Sequence, residues 1–403
     1  MAIDMTSADF ALKEHYKAMK PTNMVYKNNP FYALVQKYTK FTGDIMPVPQ
    51  IYANPQNRSA TFSNAINGTG NTKGVKFNLT RVQDYSIAEI SHEVMLASED
   101  NAGAFLKVAT MEIDGAIHSL GRSTATALFR DGTGTIGRIS TGSTVASATI
   151  TLADIRDIVN FEVGMIIGAS SALGSGARTG SAAISAINRN TGTITTAGGN
   201  WSTQISSLAT SDYLYVAGDL NKKLSGLDAW IPLADPSATA FFGVDRTADI
   251  VRLSGVRKNV VGQPLEEALT DVVAAICQEG GIPTHAFMNH INYAALEKQL
   301  GSKKVLTRED VKGTDIGFDG IKVTGLKGPV TVLPDLNCQN DRFYALQLDT
   351  WTFNSLGESP NLFDADGTKM LRSTSADSLQ VRVTSYHQLG CEAVGFNGVG
   401  QIA

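Results

Sequence analysis

Residues 129–139, FRDGTGTIGRI, decide how the rest of this chain is read. Gly132, Gly134 and Gly137 have the G-x-G-x-x-G spacing that lets backbone approach a dinucleotide's pyrophosphate. That use needs a strand before the glycines and a helix after them, because the helix N-terminus supplies the amides and dipole that hold phosphate. Here the order is reversed. Phe105, Ala109, Ile113, Ala116, Leu120 and Leu128 recur at helical intervals, so a helix runs up to Phe129. The following IGRISTGSTVASATITL alternates as short strands. The glycines stop a helix and turn the chain, and no nucleotide site is expected.

Working upstream, Ser98-Glu-Asp-Asn is N-cap and acidic first-turn material. It predicts a helix of about eight turns, on the order of 45 Å long. Before it, RSATFSNAINGTGNTKGVKFNLTRVQDYSIAEI shows partial period-two alternation around the tip NGTGNTKG, which predicts a β-hairpin with Phe62 and Phe77 on its two arms. The tip lacks G-K-[ST], so its glycines serve the turn. The first 55 residues hold five of the twelve prolines, with aromatics between them. Proline interrupts regular structure while the aromatics carry apolar area that must be covered. Only NNPFYALVQKYTKF reads as helix, with Phe31, Leu34, Tyr38 and Phe41 on one side. Such an arm docks either on its own domain or around a neighbouring subunit, and a hairpin this long has little local sequence to bury both its faces.

Downstream, Ser140 to Gly218 is poor in charge and rich in Ser, Thr, Gly and Ala. Short β-type runs at ATITL, VGMIIGA, AAISAI, GTITT and DYLYVAG predict a small antiparallel β-barrel or sandwich. The chain then turns α/β. QPLEEALTDVVAAICQEGG reads as a helix opened by Pro264 and closed by Gly280-Gly281, PTHAFMN as a buried strand, and HINYAALEKQLG as a second helix. GPVTVLP, RFYALQLDTWTF and SLQVRVTSYHQLG close the chain as strands.

Composition excludes several functions. At 403 residues, 43% hydrophobic and 18% charged, this is a globular chain of one large or two to three ordinary domains. The net charge of −4 draws it to neither nucleic acid nor an anionic membrane, and KEHYKAMK or Arg252, Arg257 and Lys258 read as solvated faces. Cys277, Cys338 and Cys391 form no C-x-x-C pair, which points to a reducing cytoplasm. No signal peptide or apolar span is expected. His92-Glu93 lacks the second histidine of a zinc helix, and DADGT (364–368) lacks the acidic positions that complete a calcium loop, so no metal is expected. No G-x-S-x-G, P-loop or cysteine-nucleophile signature occurs, and Glu112 and Asp114 point to different faces of their helix. No cofactor and no catalytic residue is expected.

The order of proline-rich arm, long hairpin, long helix ending in FRDGTG, α/β unit and closing strands resembles the major capsid proteins of tailed double-stranded DNA phages, with the Hong Kong 97 fold. LSGLDAWIP, FFGVDRT, GGIPTHAFMN, LDTWTFNSLGESPNLFDADGTKMLRS and SYHQLGCEAVGFNGVG are similar to that family. In such proteins the helix exit meets the Gly-Leu step almost directly, whereas residues 138–220 intervene here, and that departure marks an insertion. The resemblance implies an α+β chain built as N-terminal arm (1–55), E-loop hairpin (56–96), spine helix of the P-domain (97–137), inserted β-domain (138–220), A-domain (221–330) and P- and A-domain strands (331–403).

It further implies a non-enzymatic coat protein that assembles with itself as hexamers and pentamers into an icosahedral head. The head is assembled in the bacterial cytoplasm with a portal, a separate scaffolding protein and in some cases a decoration protein. The acidic balance suits a container that touches packaged DNA weakly, since phosphate affinity grows with each basic contact. Some family members join an E-loop lysine to an asparagine. Lys73 and Lys76 lie in that loop but no partner matches, so no cross-link is expected. Intersubunit contacts are expected at Phe31, Tyr38, Phe62 and Phe77, with Phe77→Asp blocking assembly in a folded subunit. An encapsulin-like compartment and a hydrolase with a β accessory domain are the alternatives.

Overall fold

The computed structural model describes residues 29–68, 70–97, 102–301, 305–310, 317–363, 371–373 and 376–403. The KEHYKAMK cluster, the Ser98 to Asn101 cap and the DADG turn lie outside the described residues. Among the described residues no helix is long and apolar enough to cross a membrane.

The periodicity before FRDGTG produces a helix over Ala102–Ala127, about 39 Å of rise. It lies on a sheet whose two longest strands, Val82–Ser91 and Ser378–Cys391, pair antiparallel over ten positions, from Val82 opposite His387 to Ser91 opposite Ser378. Ala116 and Leu120 of the helix cover Ala88, Val381 and Val383. Alternation on those strands explains the match: every second side chain faces the helix and the rest face away. Trp351–Ser355 extends the sheet, and Gln36–Tyr38 joins it in parallel.

A second sheet of seven strands runs in the spatial order Val256–Asn259, Gly398–Gln401, Arg342–Leu346, His285–Met288, Gly328–Pro334, Gly317–Gly325 and Val305–Asp310. The helices Leu265–Gln278 and His290–Leu300 supply its cover: Leu269, Val272, Ile276 and Leu296 pack on Ala286, Val330, Val332 and Phe343. RFYALQLDTWTF therefore serves two sheets, with a 3-10 turn at Leu348–Thr350 swinging the chain from one to the other.

Residues 135–216 carry a third sheet, ordered Thr135–Arg138, Tyr213–Val216, Ile166–Ala172, Ala182–Asn188, Thr193–Thr196 and Thr149–Thr151, with Ser175–Ala177 paired to its third strand. The Ile139–Leu152 bridge, with Ser140 N–H donating to the Thr151 carbonyl and Ala153 N–H to Arg138, joins last strand to first and closes a barrel. Closure leaves no long open edge. Ile139, Ile150, Phe161, Ile167, Ile194, Trp201 and Leu214 fill it, all without exposure.

Two expectations are corrected. The predicted helix through residue 41 spans only Pro30–Leu34; Val35 already has extended dihedrals because Gln36–Tyr38 is captured by Trp351–Ser355. Tertiary pairing overrides the local pattern. The hairpin arms are also different: Lys73–Thr80 pairs with Ile45–Ala53, the stretch counted with the proline-rich arm, and residues 62–67 form a short helix between them. Pro47 and Pro49 are tolerated because they occupy positions opposite Asn78 and Lys76 whose backbone faces away from the partner strand.

Candidate assembly surface

The glycines of the opening stretch do structural work at one crossing. Gly132 and Gly134 have positive φ of 87° and 82°. The chain enters the barrel there and returns beside it, since Asn221 N–H donates to the Thr133 carbonyl at 2.9 Å. Returning, it meets the helix exit: Gly226 N–H donates to Arg130 at 3.0 Å and Leu227 N–H to Leu128 at 2.7 Å. A Cβ on Gly226 would stand 2.3 Å from the Ala127 carbonyl oxygen, so only glycine fits. This is why a Gly-Leu step follows the helix exit, whatever is placed between them.

The hairpin's root is built into the subunit. Phe77 is fully buried, with its ring 5.2 Å from Trp230 and 6.3 Å from Phe241. Gln50 donates to the Cys391 carbonyl at 2.7 Å, and Asn78 N–H donates to Phe242 at 2.9 Å. Arg252 donates to the Tyr52 carbonyl at 2.6 Å. Beyond Tyr52 and Ala53 the chain's own cover ends. Residues 54–64 are exposed without interruption, and the helix over residues 62–67 buries no residue. Phe62 is 82% exposed, Ile51 71% and Ile66 55%. A single helical turn or two without a packed face does not hold itself in water, and Phe62 at its start is largely exposed.

The four expected contact residues thus divide. Phe62 and Tyr38, the latter 41% exposed, stand on the surface. Phe31 and Phe77 are buried within the chain itself. Phe31 sits edge-on between Phe129 and Phe287, at 5.4 and 5.2 Å, and its N–H donates to the Asp335 carboxylate. Aromatics in a proline-rich segment signal apolar area to be covered, but not which copy covers it. Sequence reasoning also missed Ile51 and Ile66; Ile51 alternates outward with Pro47 and Pro49, a signal available once its strand is recognised.

Two strongly shifted buried groups are engaged in structure. Asp335 accepts from Phe31 and Asn337 backbone and from the Asn337 amide, and burial pushes its pKa up to about 6. His387, stacked on Phe353 and hydrogen-bonded to Ser385, is pushed down to about 4 by burial. A cavity of about 360 Å³ between the long helix and the barrel is lined by Asp84, Arg122, Ser123, Arg130 and Lys223 among others. Its Asp84 carboxylate is held by Lys223 at 2.8 Å and by Ser123 at 2.8 Å, and Arg130 bonds Asp157 at 2.7 Å. These pairs fasten barrel to helix. Glu112 is half-buried and Asp114 exposed on the same helix.

No family model and no curated protein matches the sequence. Among solved structures, the chain is similar to a chain of the cyanophage A-1(L) capsid asymmetric unit, with a TM-score of 0.53 and 11% identity over 96% of each chain. It is also similar to a capsid chain of a native GTA particle (TM-score 0.49, 10% identity, 99% of each chain). A third is the holo-SrpI encapsulin complex of Synechococcus elongatus (0.45, 9% identity, 99% of this chain and 94% of that one). The cyanophage likeness shows the fold: an α+β chain of the Hong Kong 97 type along nearly its whole length.

Proposed function

We propose that this chain is the major capsid protein of a tailed double-stranded DNA phage, assembling with itself as hexamers and pentamers into the icosahedral head of the virion. The observation that carries the reading is the distal hairpin: a projection rooted by Phe77 in the subunit core and exposing Phe62 and Ile51. An enzyme gains nothing from such a projection, whereas a coat protein covers it with the next copy. Burying one exposed Phe side chain contributes roughly 1.5–3 kcal/mol, multiplied around every ring of subunits. The protein acts structurally and needs no cofactor.

In this reading residues 29–44 belong to the arm and 45–80 to the E-loop. The long helix with its sheet is the P-domain, the barrel at 138–220 is the insertion, and the seven-stranded sheet with its two helices is the A-domain. Portal and scaffolding proteins are the expected assembly partners, a decoration protein a possible further one, and packaged DNA meets the inner face through weak non-specific contact. Negative-stain electron microscopy of the protein, expressed with and without its neighbouring genes, tests the reading. Closed or aberrant shells are expected; a monomer or small discrete oligomer under every condition refutes it.

A further inference from the structure

The arm's root, the long helix, the inserted barrel and the loop after Gly328–Pro334 are joined by one buried network centred on the amide of Asn337, which is 3% exposed. Its side-chain oxygen accepts from the Arg122 guanidinium and from the Thr126 hydroxyl at 3.3 Å, both on the long helix. Its side-chain nitrogen donates to the Asn29 side chain at 2.9 Å and to the Asp335 carboxylate at 2.9 Å. An amide has two accepting and two donating positions, and here each is used. The cation on one side and the anion on the other fix which end is oxygen. Beyond Asn337 the network runs to the arm: the second Asp335 oxygen accepts the Phe31 N–H at 3.2 Å. Beyond Arg122 it runs to the barrel, since the same guanidinium donates to the Val159 carbonyl at 3.1 Å and to the Asn160 side chain at 3.4 Å. Asn160 in turn donates to the Ile136 carbonyl of the barrel's first strand at 3.0 Å.

We propose that this network is a latch coupling the two appendages of the fold: the arm's root docks firmly only while the inserted barrel is seated, and the barrel seats firmly only while the arm's root is docked. The chemistry favours coupling over two independent attachments. Arg122 is 7% exposed and Asp335 has no exposure, and the Asn337 amide is bonded to both charges. Burial raises the Asp335 pKa, and its hydrogen bonds and the Arg122 charge oppose that rise. When the barrel leaves Arg122, the guanidinium loses the carbonyl that holds it against Asn337, and Asn337 loses the cation that aims its nitrogen at Asn29 and Asp335. When Asn29 and Phe31 leave, the same amide and carboxylate lose partners from the other side, and the guanidinium is loosened in return. A buried charge whose partner shifts is left uncompensated, so half-made arrangements are disfavoured and the network is held or released as a unit. Lys223 and Arg130 fasten the barrel through carboxylates of Asp84 and Asp157, and neither pair includes a residue of the arm.

Coupling between two sites is reciprocal, and the test perturbs each end and reads the other. Hydrogen exchange of the dissociated full-length subunit is followed at three backbone amides. Phe31 reports the arm's root. Phe161, which donates to the Ile158 carbonyl at 3.2 Å, reports the barrel, and Thr284, which donates to the Leu346 carbonyl at 2.9 Å, reports the body outside the network. Asn160→Ala, made in the barrel, is expected to speed exchange at Phe31 by at least about fivefold, and Asn29→Ala, made in the arm, to speed exchange at Phe161 by the same factor. Thr284 keeps its wild-type rate in both. In an Arg122→Met background neither second substitution adds anything at the far amide. An effect confined to the mutated end overturns the proposal, as does equal speeding of all three amides, which is general destabilisation. A long-range effect that persists in full without Arg122 overturns it as well, because the coupling then bypasses this network. Should Arg122→Met fail to fold, the reciprocity of Asn29→Ala and Asn160→Ala with Thr284 unmoved decides alone. Each outcome is read whether or not the chain builds shells, so the capsid reading stands or falls separately.

Discussion

Phe77→Ala deletes a ring that has no exposure, faces Trp230 and Phe241, and stands opposite Val48 across the hairpin. Truncating a buried Phe costs about 3–5 kcal/mol, and with two aromatic neighbours the loss is at least the middle of that range, about 4 kcal/mol. A domain's whole stability is about 5–15 kcal/mol, so the loss is a large share. In urea, at slopes of about 1–3 kcal/mol per molar, the unfolding midpoint of the dissociated subunit falls by more than about 1 M. Tryptophan fluorescence reports it directly, because Trp230 is the neighbour that loses its contact. Phe62→Ala is the matched control: with 82% of the side chain exposed, it shifts subunit stability by no more than about 0.5 kcal/mol yet lowers shell yield. Phe77→Asp unfolds the subunit instead of blocking assembly in a folded one. The reasoning fails if Phe77→Ala unfolds within 1 kcal/mol of wild type, or if Phe62→Ala loses as much subunit stability as Phe77→Ala.

Gly226→Ala places a methyl against the Ala127 and Leu128 carbonyls; little soluble protein with a melting temperature many degrees lower is expected, and a wild-type melting curve would show that the helix exit can give way. Asp335 and His387 oppose each other in acid. With a folded pKa of about 6 against 3.8 unfolded, Asp335 holds a proton the unfolded chain has lost, so its contribution of about 3 kcal/mol is present at acid pH and is lost as pH rises through 6. His387, at about 4 against 6.5, refuses a proton the unfolded chain takes, and stability is lost as pH falls from 6.5 toward 4. Urea midpoints between pH 7 and 5 should therefore rise on acidification in His387→Gln relative to wild type, and in Asp335→Asn they should fall; parallel curves for all three proteins would remove both assignments. Because Lys223 ties the helix strand's Asp84 to Asp219 at the barrel's return, Lys223→Met should speed proteolysis between barrel and body, read as cleavage near residues 217–222, while a wild-type cleavage rate would deny that the pair fastens the two.

Much of the fold was legible in the residues because its signals are local. The apolar spacing through Leu128, the reversal of order that disqualified Gly132, Gly134 and Gly137 as a phosphate loop, the caps at Pro264 and Gly280, and the alternation in SLQVRVTSYHQLG each depend on neighbours within a turn or a pleat, and each element stands where its pattern placed it. Order of elements then sufficed to suggest the architecture. What the tertiary structure decided is where backbone and apolar area find partners across long separations. Ile45–Ala53 became a hairpin arm because Lys73–Thr80 offered it a register, with Pro47 and Pro49 harmless only on the outward parity of that register. Gln36–Tyr38 left its helical pattern for Trp351–Ser355, more than 300 residues away. Phe31, Phe62 and Phe77 are chemically identical, so composition and spacing assign them the same need for cover; whether the subunit or its neighbour supplies it depends on which surfaces the completed fold brings to each ring. The hydrophobic effect has no direction of its own, and only the packed chain gives it one.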